Sequence, residues 1–261
     1  SRDIKNTFGA NSTYTEALRL NNRGRAGFNI PSANLYDYPQ QVQISGSLNI
    51  IQGRTIDINA GTFHDSDGIN GIYFNNQKMI YVSGSGGYSN YYFGYDAGNT
   101  GTSVSAYGNI GIGYQTGKAL TTGDYNIMLG GSAGQAIDTG GHNTLIGTQA
   151  GFSLTNGTFN VFQGYGAAAQ SETADYSIGI GYASMALGTG AGGSNIGIGI
   201  RTLQEIDGGS NNIAIGSDAL ADSQEGKRNI AIGYHAIYDG DTSGNDNIAI
   251  GTEALEDATS A

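Results

Sequence analysis

The feature that most constrains this chain is a short repeat. An Asn, once a Ser, is followed four residues later by Gly, with a mostly apolar stretch between. The units run Asn90 to Gly94 (NYYFG), Asn109 to Gly113 (NIGIG), Asn126 to Gly130 (NIMLG), Asn143 to Gly147 (NTLIG), Asn160 to Gly164 (NVFQG), Ser177 to Gly181 (SIGIG), Asn195 to Gly199 (NIGIG), Asn212 to Gly216 (NIAIG), Asn229 to Gly233 (NIAIG) and Asn247 to Gly251 (NIAIG). Successive starts lie 19, 17, 17, 17, 17, 18, 17, 17 and 18 residues apart. Units this short and this regular cannot bury an apolar face alone, so they must stack. The expected fold is all-β: a parallel β-solenoid or β-roll of about ten coils of 17 to 19 residues.

Within Asn212-Ile213-Ala214-Ile215-Gly216 the alternation puts Ile213 and Ile215 on one face of a strand and Asn212, Ala214 and Gly216 on the other. Hydrophobicity alone predicts that the isoleucines form an internal ladder. The repeated Asn is expected to satisfy turn backbone coil after coil, and the repeated Gly to permit positive φ or close backbone approach. The face of Ala and Gly is then left outside, where small residues would let copies of the chain approach closely.

Composition supports a turn-rich β protein. Of 261 residues 45 are Gly and 17 Tyr, only 13% are charged, and there are 2 Pro, no Cys and no Trp. Without Cys there is no disulfide framework or thiolate metal site. No run of ~18 apolar residues offers a membrane span, and Ser1 to Leu20 lacks the pattern of a signal peptide. The charge of −11 is uneven: residues 1–60 carry a net of +2, residues 200–261 a net of −8. So acidic a C-terminal part repels phosphate backbones and anionic headgroups, so neither nucleic acid nor membrane is expected as a partner.

Units such as NIAIGSDAL, NIAIGYHAI and NIAIGTEAL, beginning at Asn212, Asn229 and Asn247, resemble the repeats of trimeric autotransporter adhesin heads. They are still more similar to the NxAIGxxAL repeats of bacteriophage tail fibres. The resemblance covers roughly residues 89–257. It implies a homotrimeric fibre segment in the virion tail, joined to other tail proteins and binding a host cell-surface receptor, a polysaccharide being one candidate. The alternative is the head of a bacterial surface adhesin.

Residues 1–88 lack the period and hold both prolines, Pro31 and Pro39, so they are expected to form a β-rich shaft or connector ahead of the repeat domain at 89–261. Gln41 to Ile44 and Thr55 to Ile58 alternate as strands do. Ile72-Tyr73-Phe74 and Met79 to Val82 flank Asn75 to Lys78 as a hairpin would. Asn49 to Gly53 (NIIQG) matches the repeat unit as an outlying coil.

Chemical motifs are sparse. Gly188, Gly190 and Gly193 satisfy GxGxxG, but no helix pattern follows to cradle a pyrophosphate. His64, His142 and His235 fall in unrelated registers and suggest neither a zinc site nor a catalytic base. Asp65-Ser66-Asp67-Gly68 and Asp239-Gly240-Asp241 lack EF-hand spacing, which leaves calcium binding by these turns undecided. The sequons at Asn11 and Asn156 receive no role. Asp218, Glu253 and Glu256 are scattered rather than paired as a solenoid glycosidase requires, so no catalytic residue, metal ligand or cofactor is expected and the chain is not read as an enzyme. The best ligand surface is aromatic: Tyr95, Tyr114, Tyr165, Tyr182 and Tyr234 each follow the unit's Gly and would align along one edge. That edge either stacks on sugars or packs on itself or a neighbouring subunit.

Overall fold

The computed structural model describes four strands at 19–20, 26–27, 71–74 and 77–83, then residues 89–98, 105–190, 192–222, 224–238 and 244–256. The chain divides into two units, Ser1–Asp57 and Ile58–Ala261. In the first, β1 (Arg19–Leu20) pairs antiparallel with β2 (Ala26–Gly27). The strand signals at Gln41 to Ile44 and Thr55 to Ile58, the outlying unit at Asn49, His64 and both Asp-rich turns lie outside the described residues.

The second unit holds one twelve-stranded sheet. The hairpin expected around Asn75 to Lys78 is present: β3 (Gly71–Phe74) and β4 (Gln77–Ser83) pair antiparallel, and β4 pairs antiparallel with β5 (Asn90–Phe93). Every later strand is parallel to its predecessor. They are β6 (Ile110–Ile112), β7 (Ile127–Leu129), β8 (Thr144–Ile146), β9 (Val161–Gln163), β10 (Ile178–Ile180), β11 (Ile196–Ile198), β12 (Ile213–Ile215), β13 (Ile230–Ile232) and β14 (Ile248–Ile250). Register follows the repeat, with Ile213 opposite Ile230 and Ile215 opposite Ile232. The repeat is therefore a parallel β-solenoid in which each unit contributes one three- or four-residue strand and one turn wall.

Asparagine sets the coil spacing from inside. The Asn109 backbone N–H and side-chain amide both donate to Asn90 Oδ1, at 3.0 and 2.8 Å, and the same amide donates to the Gly123 carbonyl at 2.9 Å. Asn126 repeats this on Asn109 and Gly140, and Asn212 on Asn195 and Gly226. Ser177 carries the ladder through the one gap, accepting from Asn195 N–H at 3.2 Å. From Asn90 to Asn229 these side chains are buried and paired, as a dry amide must be.

The unit's Gly closes the strand with φ near +130 to +140°, as at Gly216 (φ 129). A Cβ there would lie 2.7 Å from the Gly233 carbonyl carbon. Both anticipated reasons for glycine therefore apply at once.

The turn wall uses left-handed residues to bond in two directions. In the coil of Asn212, Asp218 (φ 57) donates its N–H to Ile200 of the coil before, and Leu220 (φ 51) donates to Ala236 of the coil after. The N–H between two such residues bonds within its own coil, as that of Ala133, the counterpart of Ala219, does to the Gly130 carbonyl. The wall becomes a second hydrogen-bonded ladder without being a strand.

The expected isoleucine core is overturned. In strand after strand the central residue is buried and its two neighbours are not: Ala214 is fully buried, whereas Ile215 beside it is 37% exposed and Ile213 is half-buried. The interior is too narrow for a β-branched side chain at every layer. A Cβ on Gly197 would already lie 2.9 Å from Ser184 Oγ and Thr202 Oγ1. The small face expected outside is the inner face, filled by Asn amides, the strand-centre residue, a turn residue and a further apolar residue such as Leu120, Ile137, Leu154 or Ile206.

Candidate interaction face

With asparagine and the strand centre turned inward, the outer face of β5 to β14 presents two columns. One runs from Tyr91 to Ile248 and the other from Phe93 to Ile250. Eighteen of these twenty positions are apolar, Thr144 and Gln163 being the exceptions, and none of the twenty is buried. No charged residue interrupts either column.

Aromatic rings border this face at both strand ends. The sequence-anticipated tyrosines stand in one register just past the Gly, and their rings pair locally rather than continuously. Tyr95 stacks on Tyr114 and Tyr165 on Tyr182, each at 5.7 Å, while Tyr234 stacks on its neighbour His235 at 3.8 Å. Gly131 and Thr148 separate the first pair from the second, and Ile200 and Ser217 separate the second pair from Tyr234.

The longer ring column lies at the other strand end and escaped the sequence reading. Tyr125, His142, Phe159 and Tyr176 each directly precede the unit's Asn or Ser, in left-handed conformations with φ from 52 to 60°. Tyr107 meets Tyr125 edge-on at 5.3 Å. His142 stacks on Phe159 at 4.6 Å and Phe159 on Tyr176 at 5.1 Å, both within 4° of parallel. The signal was present in the sequence as an aromatic residue recurring one place before the unit. Stacked in this way the rings cover one another's faces and turn their edges to solvent. Tyr176 remains 61% exposed.

The described histidines occupy different registers, His142 in the ring column and His235 on the outer turn wall. His235 lies 3.9 Å from Asp218 and 3.3 Å from Glu256. Asp218 receives two bonds from the Arg201 guanidinium, at 2.6 and 2.9 Å, which holds its carboxyl below the usual carboxylate range against the opposing effect of burial. Ser217 Oγ also bonds Asp218, at 2.8 Å. In a nucleophile triad the hydroxyl bonds the histidine and the carboxylate orients that histidine. Here the hydroxyl is spent on the carboxylate, so the arrangement is that of an ion-pair ladder between coils.

Gly188, Gly190 and Gly193 fall in the turn between β10 and β11, among the described residues without any helix to receive a phosphate. Asn156 sits in the turn between β8 and β9. Among the described residues there is no group of three or more His, Asp or Glu placed to hold a metal ion, and no helix long and apolar enough to cross a membrane.

The fold and this face define a class, the parallel β-solenoid repeat proteins. Beyond the class, no family model, curated protein or solved structure matches the chain.

Proposed function

We propose that this chain is a structural and receptor-binding segment of a trimeric fibre of the bacteriophage tail-fibre type, held in the virion by other tail proteins. It attaches to a host cell-surface glycan by many weak contacts. The observation that carries this reading is the repetition itself: ten strands in strict register offer any surface feature many times along one rigid line. Linked weak sites gain ~10² to 10⁴ in avidity without a new contact.

The tyrosines past the Gly are the contact residues of this reading. Tyr165 and Tyr182 are 55% and 54% exposed, and their stacked rings cover one face of each other. Such an edge recognises a sugar by hydroxyl hydrogen bonds more than by ring-face stacking.

The test is a glycan array and adsorption to candidate host cells, run on the full chain and on Tyr165→Ala/Tyr182→Ala. Retention that falls at least tenfold in the variant, and falls similarly when the wild type is displayed sparsely, supports the reading. Equal retention by both proteins removes the tyrosine edge from it. No retention on any surface sinks attachment, and release of new reducing ends from a bound polysaccharide would replace attachment with glycosidase action.

A further inference from the structure

We infer that the outer face of β5 to β14 is the surface on which copies of this chain pack, parallel and in register. The fibre reading supplies only the copy number, three; the surface follows from the sheet.

Ten strands make nine steps of ~4.8 Å, so the face is about 43 Å tall. From the ring column to the unit's Gly, short of the tyrosines past it, the face spans five residue steps, up to ~17 Å. The product is on the order of 700 Å², beyond the few hundred Å² of contiguous apolar surface that monomers expose. It approaches the ~800 Å² that one chain contributes to a stable protein interface. Self-association through the Ala and Gly face is ruled out, because that face is the inside of the coil, where the asparagines already bond one another.

End-to-end growth through β5 is blocked as well, since β4 pairs along that strand. Among the described strands β14 is an open edge, but the broad face is the far larger surface left to cover.

Its residues differ along the axis, which sets the direction. Rings border it from Tyr107 to Tyr176, whereas the same border further on ends in Arg228 and Asp246, bonded to each other at 2.6 and 2.8 Å. An antiparallel pair would lay that ion pair against the coil of Tyr107 and desolvate charge on an aromatic border. A parallel arrangement brings the ring border of each copy to the Gly end of the next copy's strands at the same height, in a closed symmetry.

The experiment measures solution mass by light scattering for the full chain and for Ile213→Asp/Ile215→Asp, with far-UV circular dichroism as the check on folding. Polar residues already stand in this face at Thr144 and Gln163, so the variant coil can fold. The expected result is a wild-type mass of three chains that falls to one in the variant, with the β spectrum kept. A mass of two or four chains that likewise falls to one keeps the face and changes only the count.

A wild-type monomer at all concentrations, or a variant that stays assembled, overturns the inference. If the variant unfolds, single cysteines decide, since the chain has none of its own. Ile215→Cys should cross-link to itself through a short bis-maleimide. Preferential cross-linking of Ile215→Cys to Leu129→Cys would establish the antiparallel alternative. Glycan binding that fails while the mass stays at three chains counts against attachment and leaves this interface standing.

Discussion

The first five coils and the last five solve one packing problem in opposite ways. In the first, large residues fill the strand centre, Tyr92, Met128, Leu145 and Phe162, and the turn position facing them is Gly98, Gly117, Gly134, Gly151 or Ala168. In the last, the strand centre shrinks to Gly179, Gly197, Ala214, Ala231 and Ala249, while the turn position becomes Met185, Leu203, Leu220, Ile237 and Leu255. The coil spacing fixes how much volume each layer can hold, and either wall can supply it. Gly111, the one glycine centre in the first half, lies between Tyr92 and Met128, and a Cβ on it would meet the Tyr92 ring at 2.5 Å.

The swap has a conformational cost. The turn position is left-handed in both halves: Gly134 has φ 56 and Leu220 φ 51. Glycine takes that region freely, whereas Leu is strained by about 1 to 2 kcal/mol. Full burial of a Leu contributes ~1.5 to 3 kcal/mol, enough to offset the strain.

The largest effect is expected where neither half has a choice. Gly216→Ala places a Cβ against the Gly233 backbone at a φ that L residues rarely adopt. Denaturant unfolding should show a loss beyond ~4 kcal/mol, or no folded protein. A loss under ~1 kcal/mol would mean that the coils can separate locally, and the fixed layer thickness behind the comparison would fail.

Next comes the turn position itself. Leu220→Ala removes a fully buried side chain and should cost about 3 kcal/mol. Leu220→Gly removes slightly more but relieves the left-handed strain, so it should cost up to ~1 kcal/mol less than the Ala variant. That inverts the usual order of the two residues. In the first half the reverse change, Gly134→Leu, should be destabilising, because Leu145, Ile137 and Met128 already stand within 3.0 Å of a Cβ there. If Gly134→Leu is neutral, the two halves are not complementary.

Asparagine is common to both halves and should respond alike in each. Asn212→Ala orphans the Asn229 N–H, which bonds Asn212 Oδ1 at 2.9 Å, and the Gly226 carbonyl. About 2 kcal/mol should be lost. Asn212→Ser should cost less, as Ser177 carries the same ladder with a hydroxyl. Equal losses for Ala and Ser would show the ladder to be passive spacing.

The coils, their number and the hairpin were legible in the residue spacing, as were the reasons for Asn and Gly. Which face turned inward was not. Alternation in Asn212 to Gly216 defines two faces but not the distance to the opposite wall, and that wall is built from residues such as Asp218 and Leu220, whose recurrence is legible but whose left-handed backbone is not. Hydrophobicity favoured Ile213 and Ile215 for the core, and the narrow interior excluded them. The ring column at Tyr125, His142, Phe159 and Tyr176 stands one place ahead of each unit, but that register varies in residue type and passes to Ser194, Asn211, Arg228 and Asp246, so no single residue marks it.

The smallest effect separates two ion pairs of the last coils. Arg201–Asp218 buries its carboxylate, 4% exposed, whereas Arg228–Asp246 leaves both partners more than half exposed. Hydrogen bonds from the arginine hold each Asp below its ordinary range. A carboxyl depressed in the folded state stabilises fully above its unfolded value near pH 4, and that stability is lost as pH falls through the lower folded value. Asp218→Asn should therefore lower stability on the order of 1 kcal/mol at pH 7 and flatten the acid limb of the unfolding curve below pH 4. Asp246→Asn, at a more exposed and more strongly screened carboxylate, should flatten that limb less. Parallel acid limbs for wild type and Asp218→Asn would mean that the buried carboxylate gains no more from its partner than the exposed one does.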